Sequence, residues 1–347
     1  MRKANPVVIS AVKNAGLIVA AALVVLALAS GCAGQPEQQA TRPSAPAASA
    51  GPQTRTPAPA PATATATGRD GSYRTGGRQV TFTEPARPGS AGQRLGQRTL
   101  VTQIWYPRAR GAAGPFPLLL FAPGFLQCPG AYAHLLRAWA SAGYVVAAVS
   151  FPRTNCHLGT GADEADLVNQ PQDVSYVLTW LLALSARSGG PFSGLLDPNE
   201  VGAAGQSDGG DTAAALAANT CCADRRLKAV AVLSGAEWPP MPGRYFSGAA
   251  PPMLFTQGSA DTINPPWTSL QLYRADGAGP RYYLDLFGAS HLIPYEGTNP
   301  VERLVARVTL AFFDRYVLGQ AGALRTMTRD GNVAGAAALV SGGRSPP

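Results

Sequence analysis

The chain has 347 residues, 46% of them hydrophobic, enough to enclose one large core or two small ones. Only 14% are charged, against about a quarter in an average soluble domain. The formal charge of +8 sits on scattered arginines, because Lys3, Lys13 and Lys228 are the whole lysine complement. There is no arginine-rich run with interleaved aromatics, so a nucleic-acid partner has no support.

Arg2 and Lys3 open the chain, residues 17–29 form an apolar run, and "ASGC" ends at Cys32. The run is too short for a membrane span and small residues follow it, which predicts a secretory signal peptide over residues 1–31. "ASGC" is similar to the bacterial lipoprotein signal. That makes Cys32 the expected lipidated residue and anchoring at the cell membrane the expected location, with plain secretion as the alternative. Residues 32–67 are almost all Ala, Pro, Thr, Ser and Gln. They cannot bury enough apolar surface to offset their ordering entropy and read as a disordered tether.

From residue 68 to residue 324 the pattern is that of one α/β domain. "RQVTFTE" and "RTLVTQIWY" alternate with period two, as an antiparallel opening pair does. The runs "FPLLLFA", "YVVAAVS", "EVGAAG", "LKAVAVLSG", "PPMLFTQG" and "PRYYLDLFG" then read as buried parallel strands bounded by turn residues. Helical patterns fall between and after them, over residues 131–141, 170–186, 212–218, 266–274 and 301–317. Pro171 suits the first turn of its helix. Together they predict a mostly parallel sheet with right-handed crossovers and helices on both faces. The composition of residues 325–347 predicts a flexible tail.

"GQSDGG", residues 205–210, sits between a predicted strand and an alanine-rich helix. That is the strand–turn–helix context of a G-x-S-x-G elbow. Gly205 and Gly209 permit a tight turn, and Ser207 becomes the candidate nucleophile. In a Gly- and Ala-rich chain such a motif also arises by chance or through packing. A hydroxyl needs a base, itself oriented by a third group, and the sequence offers three histidines. His291, in "LFGASHLIP" after the last predicted parallel strand, is the candidate base. His134 falls inside a predicted helix, and His157 lies in a loop beside Cys156. Asp261, in "QGSADTINPP", is the candidate acid, since the chain order Ser, Asp, His is that of α/β-hydrolases. Glu237, after the preceding strand, is its rival, and Asp261 also reads as a turn residue before a helix. The backbone N–H groups of Asp208 and of Phe125, in "FAPGFLQCPG", are the candidate oxyanion donors.

With "PGF", "GQSDGG", "ADTINPP" and "GASHLIP" in place, the chain resembles serine α/β-hydrolases of the dienelactone-hydrolase, bacterial cutinase and platelet-activating-factor acetylhydrolase type. The likeness covers roughly residues 95–320. It implies the α/β-hydrolase fold and hydrolysis of a small-molecule or lipid-like carboxylic ester, with no metal and no cofactor. "ADTINPP" looks much like the acid segment of bacterial cutinases and polyester hydrolases, which supports Asp261. "SGAEWPP" resembles their segment with a cleft tryptophan, and the resemblance implies that Trp238 is a substrate contact. The family's strand order puts the loops carrying Cys128 and Cys156 side by side, which implies a disulfide between them in an exported chain. Cys221 and Cys222, at the opposite edge, are either free thiols or a vicinal pair.

Two residues depart from the family elbow: Gln206 stands where histidine is usual, and Asp208 where a non-acidic residue is usual. Asp208 and Asp211 suit the first turn of a helix, worth roughly 0.3–1 kcal/mol. Yet the residue after the nucleophile commonly faces the cleft in this family. A carboxylate about 4 Å from an oxyanion would oppose it by about 4 kcal/mol at an effective dielectric near 20. Arg153, in the loop after the fourth strand, is the cation expected to hold Asp208 if it faces the cleft. An acyltransferase or peptidase with the same triad, and a non-catalytic surface binding protein of the same fold, remain as alternatives, because fold alone does not decide function.

Overall fold

The computed structural model describes residues 73–108, 114–277 and 279–342. The expected signal peptide, Cys32 and the tether lie outside the described residues. The opening segment contains β1 (Arg74–Glu84), a short ribbon of β2 (Arg87–Pro88) and β3 (Arg94–Leu95), and β4 (Arg98–Arg108). β1 and β4 pair antiparallel with Phe82 opposite Leu100, as their period-two patterns predict.

Then follow β5 (Phe116–Ala122), β6 (Val145–Ser150), β7 (Leu196–Gln206), β8 (Ala229–Leu233), β9 (Met253–Gly258), β10 (Arg281–Leu286) and β11 (Ala337–Ser341). With β1 and β4 they form a nine-stranded sheet of order β1-β4-β6-β5-β7-β8-β9-β10-β11. Pairing is parallel from β6 through β10 and antiparallel at β4–β6 and β10–β11. The helices are α1 (Ala133–Ser141), α2 (Gln170–Ala186), α3 (Asp208–Ala218), α4 (Trp267–Ala275), α5 (Pro300–Tyr316) and α6 (Ala323–Asp330).

The central strands read as unbroken apolar runs because both faces of the sheet are covered. In β5, Leu118 and Leu120 join Val174, Val177 and Leu178 of α2 and Ala213 of α3 in one layer. Leu119 and Phe121 point the other way, to Leu135 and Trp139 of α1 and Phe312 of α5. β8 repeats the split, with Val230 and Val232 in the first layer and Ala231 and Leu233 in the second. α3 is buried at every position, so its alanines are packing residues that let a helix approach the sheet closely.

β6 and β7 flank β5 on opposite sides, so the chain changes direction across the sheet after β6. In open α/β sheets a ligand crevice lies at such a switch point, outside the carboxyl ends of the strands. The loops after β5 and β6 emerge together at that edge. Cys128 and Cys156 are joined there by a disulfide, with Cα atoms 5.3 Å apart, and Gln127 forms a parallel bridge with Asn155 beside them. Beyond the other end of α3, Cys221 and Cys222 are joined as the vicinal pair.

Within the described residues, positions 325–342 of the expected flexible tail form ordered structure, which corrects that expectation there. α6 packs against α5, Met327 is fully buried, and β11 pairs with β10, placing Leu339 opposite Leu284. A short strand that opens on two alanines and is only partly buried has little intrinsic preference for extended structure. It is fixed here by a ladder partner between about fifty and sixty residues away in the chain, which tertiary context alone supplies.

Candidate active site

β7 ends at Gln206 and α3 begins at Asp208, so Ser207 alone makes the turn. Its φ of 56° and ψ of −125° lie where a non-glycine residue pays about 1–3 kcal/mol. Neighbouring glycines make the turn possible. A Cβ on Gly205 would overlap the Gly209 carbonyl, and a Cβ on Gly209 would overlap the Ala122 carbonyl at the end of β5. The elbow is therefore pressed between its own strand and β5.

Two other strand ends meet Ser207. Asp261, just past β9, is buried, and its Oδ1 accepts from the N–H groups of Ile263 (2.9 Å) and Asn264 (3.0 Å). Its Oδ2 accepts from Gln257 Nε2 at 2.9 Å and lies 2.7 Å from His291 Nδ1. The turn-forming and the orienting roles thus fall on different oxygens of one carboxylate. Burial works against the Asp261 charge, but the His291 contact and the two backbone N–H groups outweigh it and hold the carboxyl below its usual range. An ionised carboxylate can only accept, so His291 carries its proton on Nδ1 and presents Nε2 as an acceptor. Ser207 Oγ lies 2.8 Å from that Nε2.

The competing residues lie elsewhere. Glu237 is half-buried and has no hydrogen bond to His291 among the described residues. His134 joins α1 to α5 through Glu302 at 2.7 Å, and His157 is exposed, its backbone N–H donating to Asn155. Trp238 is half-buried in a small apolar cluster with Leu167, Val168, Ala215 and Met241.

Phe125 lies in the loop after β5. Gly124 beside it sits so close to the elbow that a Cβ there would be 3.1 Å from Ser207 Cβ. No backbone carbonyl among the described residues takes the N–H of Phe125 or of Asp208, and the Asp208 N–H interacts with its own carboxyl. Leu126, Ile263 and Ile293, one or two residues beyond Phe125, Asp261 and His291 in the chain, are exposed.

Asp208 is where sequence reasoning needs correction. Arg153 does not hold it; Arg153 pairs with Asp163 at 3.0 Å, and both side chains are largely exposed. Reaching Asp208 would bury a guanidinium at considerable desolvation cost, whereas the exposed pair keeps its hydration. Asp208 itself is buried, with Oδ2 lacking a partner. Burial, reinforced by Glu164, pushes its pKa up to about 7 against the opposing pull of His291 and of its own N–H. Asp211 is driven well above its usual range by burial, although Ala236 N–H donates to it. Glu164 belongs to a 3-10 stretch (Glu164–Asn169) fastened by Arg98, which binds Asp166 through two bonds (3.0 and 2.6 Å) and Asp173 through two more (2.7 and 2.6 Å).

Two residues went unread in the sequence, Tyr132 and the side chain of Gln206. Tyr132 OH donates to Gln206 Oε1 at 2.7 Å, and Gln206 Nε2 lies 3.2 Å from His291 Nε2. Adjacency to Ser207 was the available signal for Gln206; Tyr132 had none. Among the described residues one cluster has metal-ligand chemistry, Cys128, Cys156 and His157, and both of its sulfurs are tied in the disulfide.

No curated protein matches the chain. A family model described as PETase, PET hydrolase-like, does match, over residues 47–322. The chain therefore belongs to this PET hydrolase-like family of serine α/β-hydrolases, and membership implies carboxylic ester hydrolysis.

Proposed function

We propose that the chain is a serine carboxylesterase working through an acyl-enzyme on Ser207. The observation that supports this best is the continuous relay of Ser207 Oγ, His291 and Asp261, with contacts of 2.8 and 2.7 Å. Ser207 Oγ attacks the ester carbonyl carbon while His291 Nε2 takes its proton. Asp261 keeps the imidazole in the required tautomer and favours its charged form. The carbonyl oxygen, now negative, is met by the N–H groups of Phe125 and Asp208; such a donor is worth about 3–4 kcal/mol at the transition state. His291 returns the proton to the departing alcohol as the C–O bond breaks. Water, deprotonated by the same nitrogen, then attacks the acyl-enzyme and releases the acid.

The carboxyls of Asp208 and Glu296 near His291, with Glu164 beside Asp208, favour neutral over anionic esters. The proposed setting is the outer face of a membrane, with the enzyme held by a lipid on Cys32. Cys32→Ser should release the protein or block its processing, and a soluble, unmodified wild-type product would overturn the anchoring.

The test of the activity uses chromogenic short-chain esters and a serine-reactive phosphonate. We expect hydrolysis that stops in step with a single adduct on the Ser207 peptide. Turnover that survives in Ser207→Ala would refute the reading. Transfer of the acyl group to an added alcohol or amine in preference to water would make the enzyme an acyltransferase.

A further inference from the structure

Gln206 is fully buried at the end of β7. Its amide is the middle of a chain of hydrogen bonds that crosses the site. Gly124 N–H donates to Tyr132 OH at 3.2 Å, Tyr132 OH donates to Gln206 Oε1 at 2.7 Å, and Gln206 Nε2 donates to the His291 carbonyl at 3.3 Å. The direction of each bond is fixed. Tyr132 OH receives the Gly124 proton, so its own proton goes to Gln206, and the His291 carbonyl can only accept. The –NH2 end of Gln206 must therefore face His291, where it also lies 3.2 Å from Nε2. Burial raises the Tyr132 pKa, so the phenol stays protonated and able to donate.

We propose that Gln206 is a positioning residue that ties the oxyanion loop to the base and holds His291 Nε2 as an acceptor until Ser207 delivers its proton; this rests on the esterase reading above. An N–H group beside Nε2 suits the neutral imidazole and opposes a proton there. The other charged groups facing His291 act the opposite way. Asp261 bonds Nδ1, and Asp208 and Glu296 act from α3 and from the loop after β10. Asp261 thus holds the Nδ1 side of the ring, and the Gln206 amide faces the nitrogen that must stay free. Through Tyr132 the same amide fixes Gly124, next to the proposed oxyanion donor Phe125. The nucleophile, its base and the oxyanion loop are thereby held to one buried side chain.

The test compares Gln206→Met, Gln206→Glu and Tyr132→Phe with the wild type. Thermal melting and titration of Ser207 with the phosphonate count folded, competent sites in each. In Gln206→Met, kcat per titrated site should fall about tenfold with KM little changed. The acid limb of the kcat/KM profile should move to higher pH by about half a unit, because the amide no longer opposes the imidazolium. Gln206→Glu should move that limb further in the same direction, since a carboxylate attracts the charged ring. Tyr132→Phe, which leaves the amide in place, should lower kcat severalfold without moving the limb, and it carries the test if Gln206→Met does not fold. An unchanged kcat in Tyr132→Phe, or an unmoved acid limb in the folded Gln206 variants, overturns the inference. Failure of the phosphonate to label Ser207 in the wild type would instead overturn the esterase reading.

Discussion

Asp261 and Glu237 both follow strands at the carboxyl edge, and only Asp261 reaches His291. Asp261→Asn should lower kcat by roughly 10⁴-fold by losing the acceptor that fixes the tautomer. Glu237→Gln should change it less than about threefold, well under 1 kcal/mol. The reverse pattern in steady-state kinetics would move the acid to Glu237. Asp208 makes a different prediction. Its pKa is raised from the ordinary carboxyl value of 3.8 to about 7. The stability linked to its neutral form is therefore complete below the unfolded value and is lost as pH rises through about 7. Asp208→Asn should melt about level with wild type near pH 3, below the unfolded value, and progressively higher than it up to pH 8. The variant should also keep its activity on the alkaline side, where ionised Asp208 opposes the oxyanion. There it should turn over anionic esters roughly tenfold faster than wild type, a change of ~1.4 kcal/mol. A melting difference independent of pH would show that Asp208 does not titrate in this range.

At the level of the elements, the elbow is a strand and a helix joined by one residue, and its glycines are set by neighbours rather than by the turn itself. Gly209 is confronted by the end of β5, so a side chain there would push the oxyanion loop as well as the nucleophile. The C-terminal pair α6 and β11 covers the far edge of the sheet. Met327→Ala should cost about 2–5 kcal/mol, the usual range for emptying a buried methionine site, read by chemical denaturation. A cost below about 1 kcal/mol would mean that α6 contributes little. Cutting the chain after residue 322 should also bare the edge of β10 and promote aggregation, because an unpaired strand edge recruits other strands.

For the molecule as a whole, the disulfide between Cys128 and Cys156 closes a loop that holds α1 and β6. Its sequence separation of 28 corresponds to about 3–4 kcal/mol of chain-entropy stabilisation. The double change Cys128→Ser with Cys156→Ser should lower the melting temperature by about 10 °C. It should also loosen the oxyanion loop, since Cys128 lies four residues beyond Gly124. An unchanged melting temperature would show that the parallel bridge of Gln127 with Asn155 and the surrounding packing suffice without the bond.

The residues alone made the layered α/β architecture legible. Buried parallel strands write themselves as short β-branched runs, and each side chain faces one of two apolar layers. The residues also marked Ser207 as the candidate nucleophile, since a glycine-flanked serine between a strand and a helix is a local pattern. Asp261 and His291 were legible through chain order, because each follows a strand whose carboxyl end lies at one edge. Other features needed the tertiary structure. Arg153 is the expected partner of Asp208 only if that carboxyl faces the cleft, and it pairs with Asp163 instead, because charge pairing depends on depth and the sequence shows charge without burial. The ordered tail was invisible because β11 takes its conformation from β10, not from its own residues. The bond from Tyr132 to Gln206 spans 74 positions in the chain, and only the packing of the oxyanion loop against the elbow brings those two groups within reach.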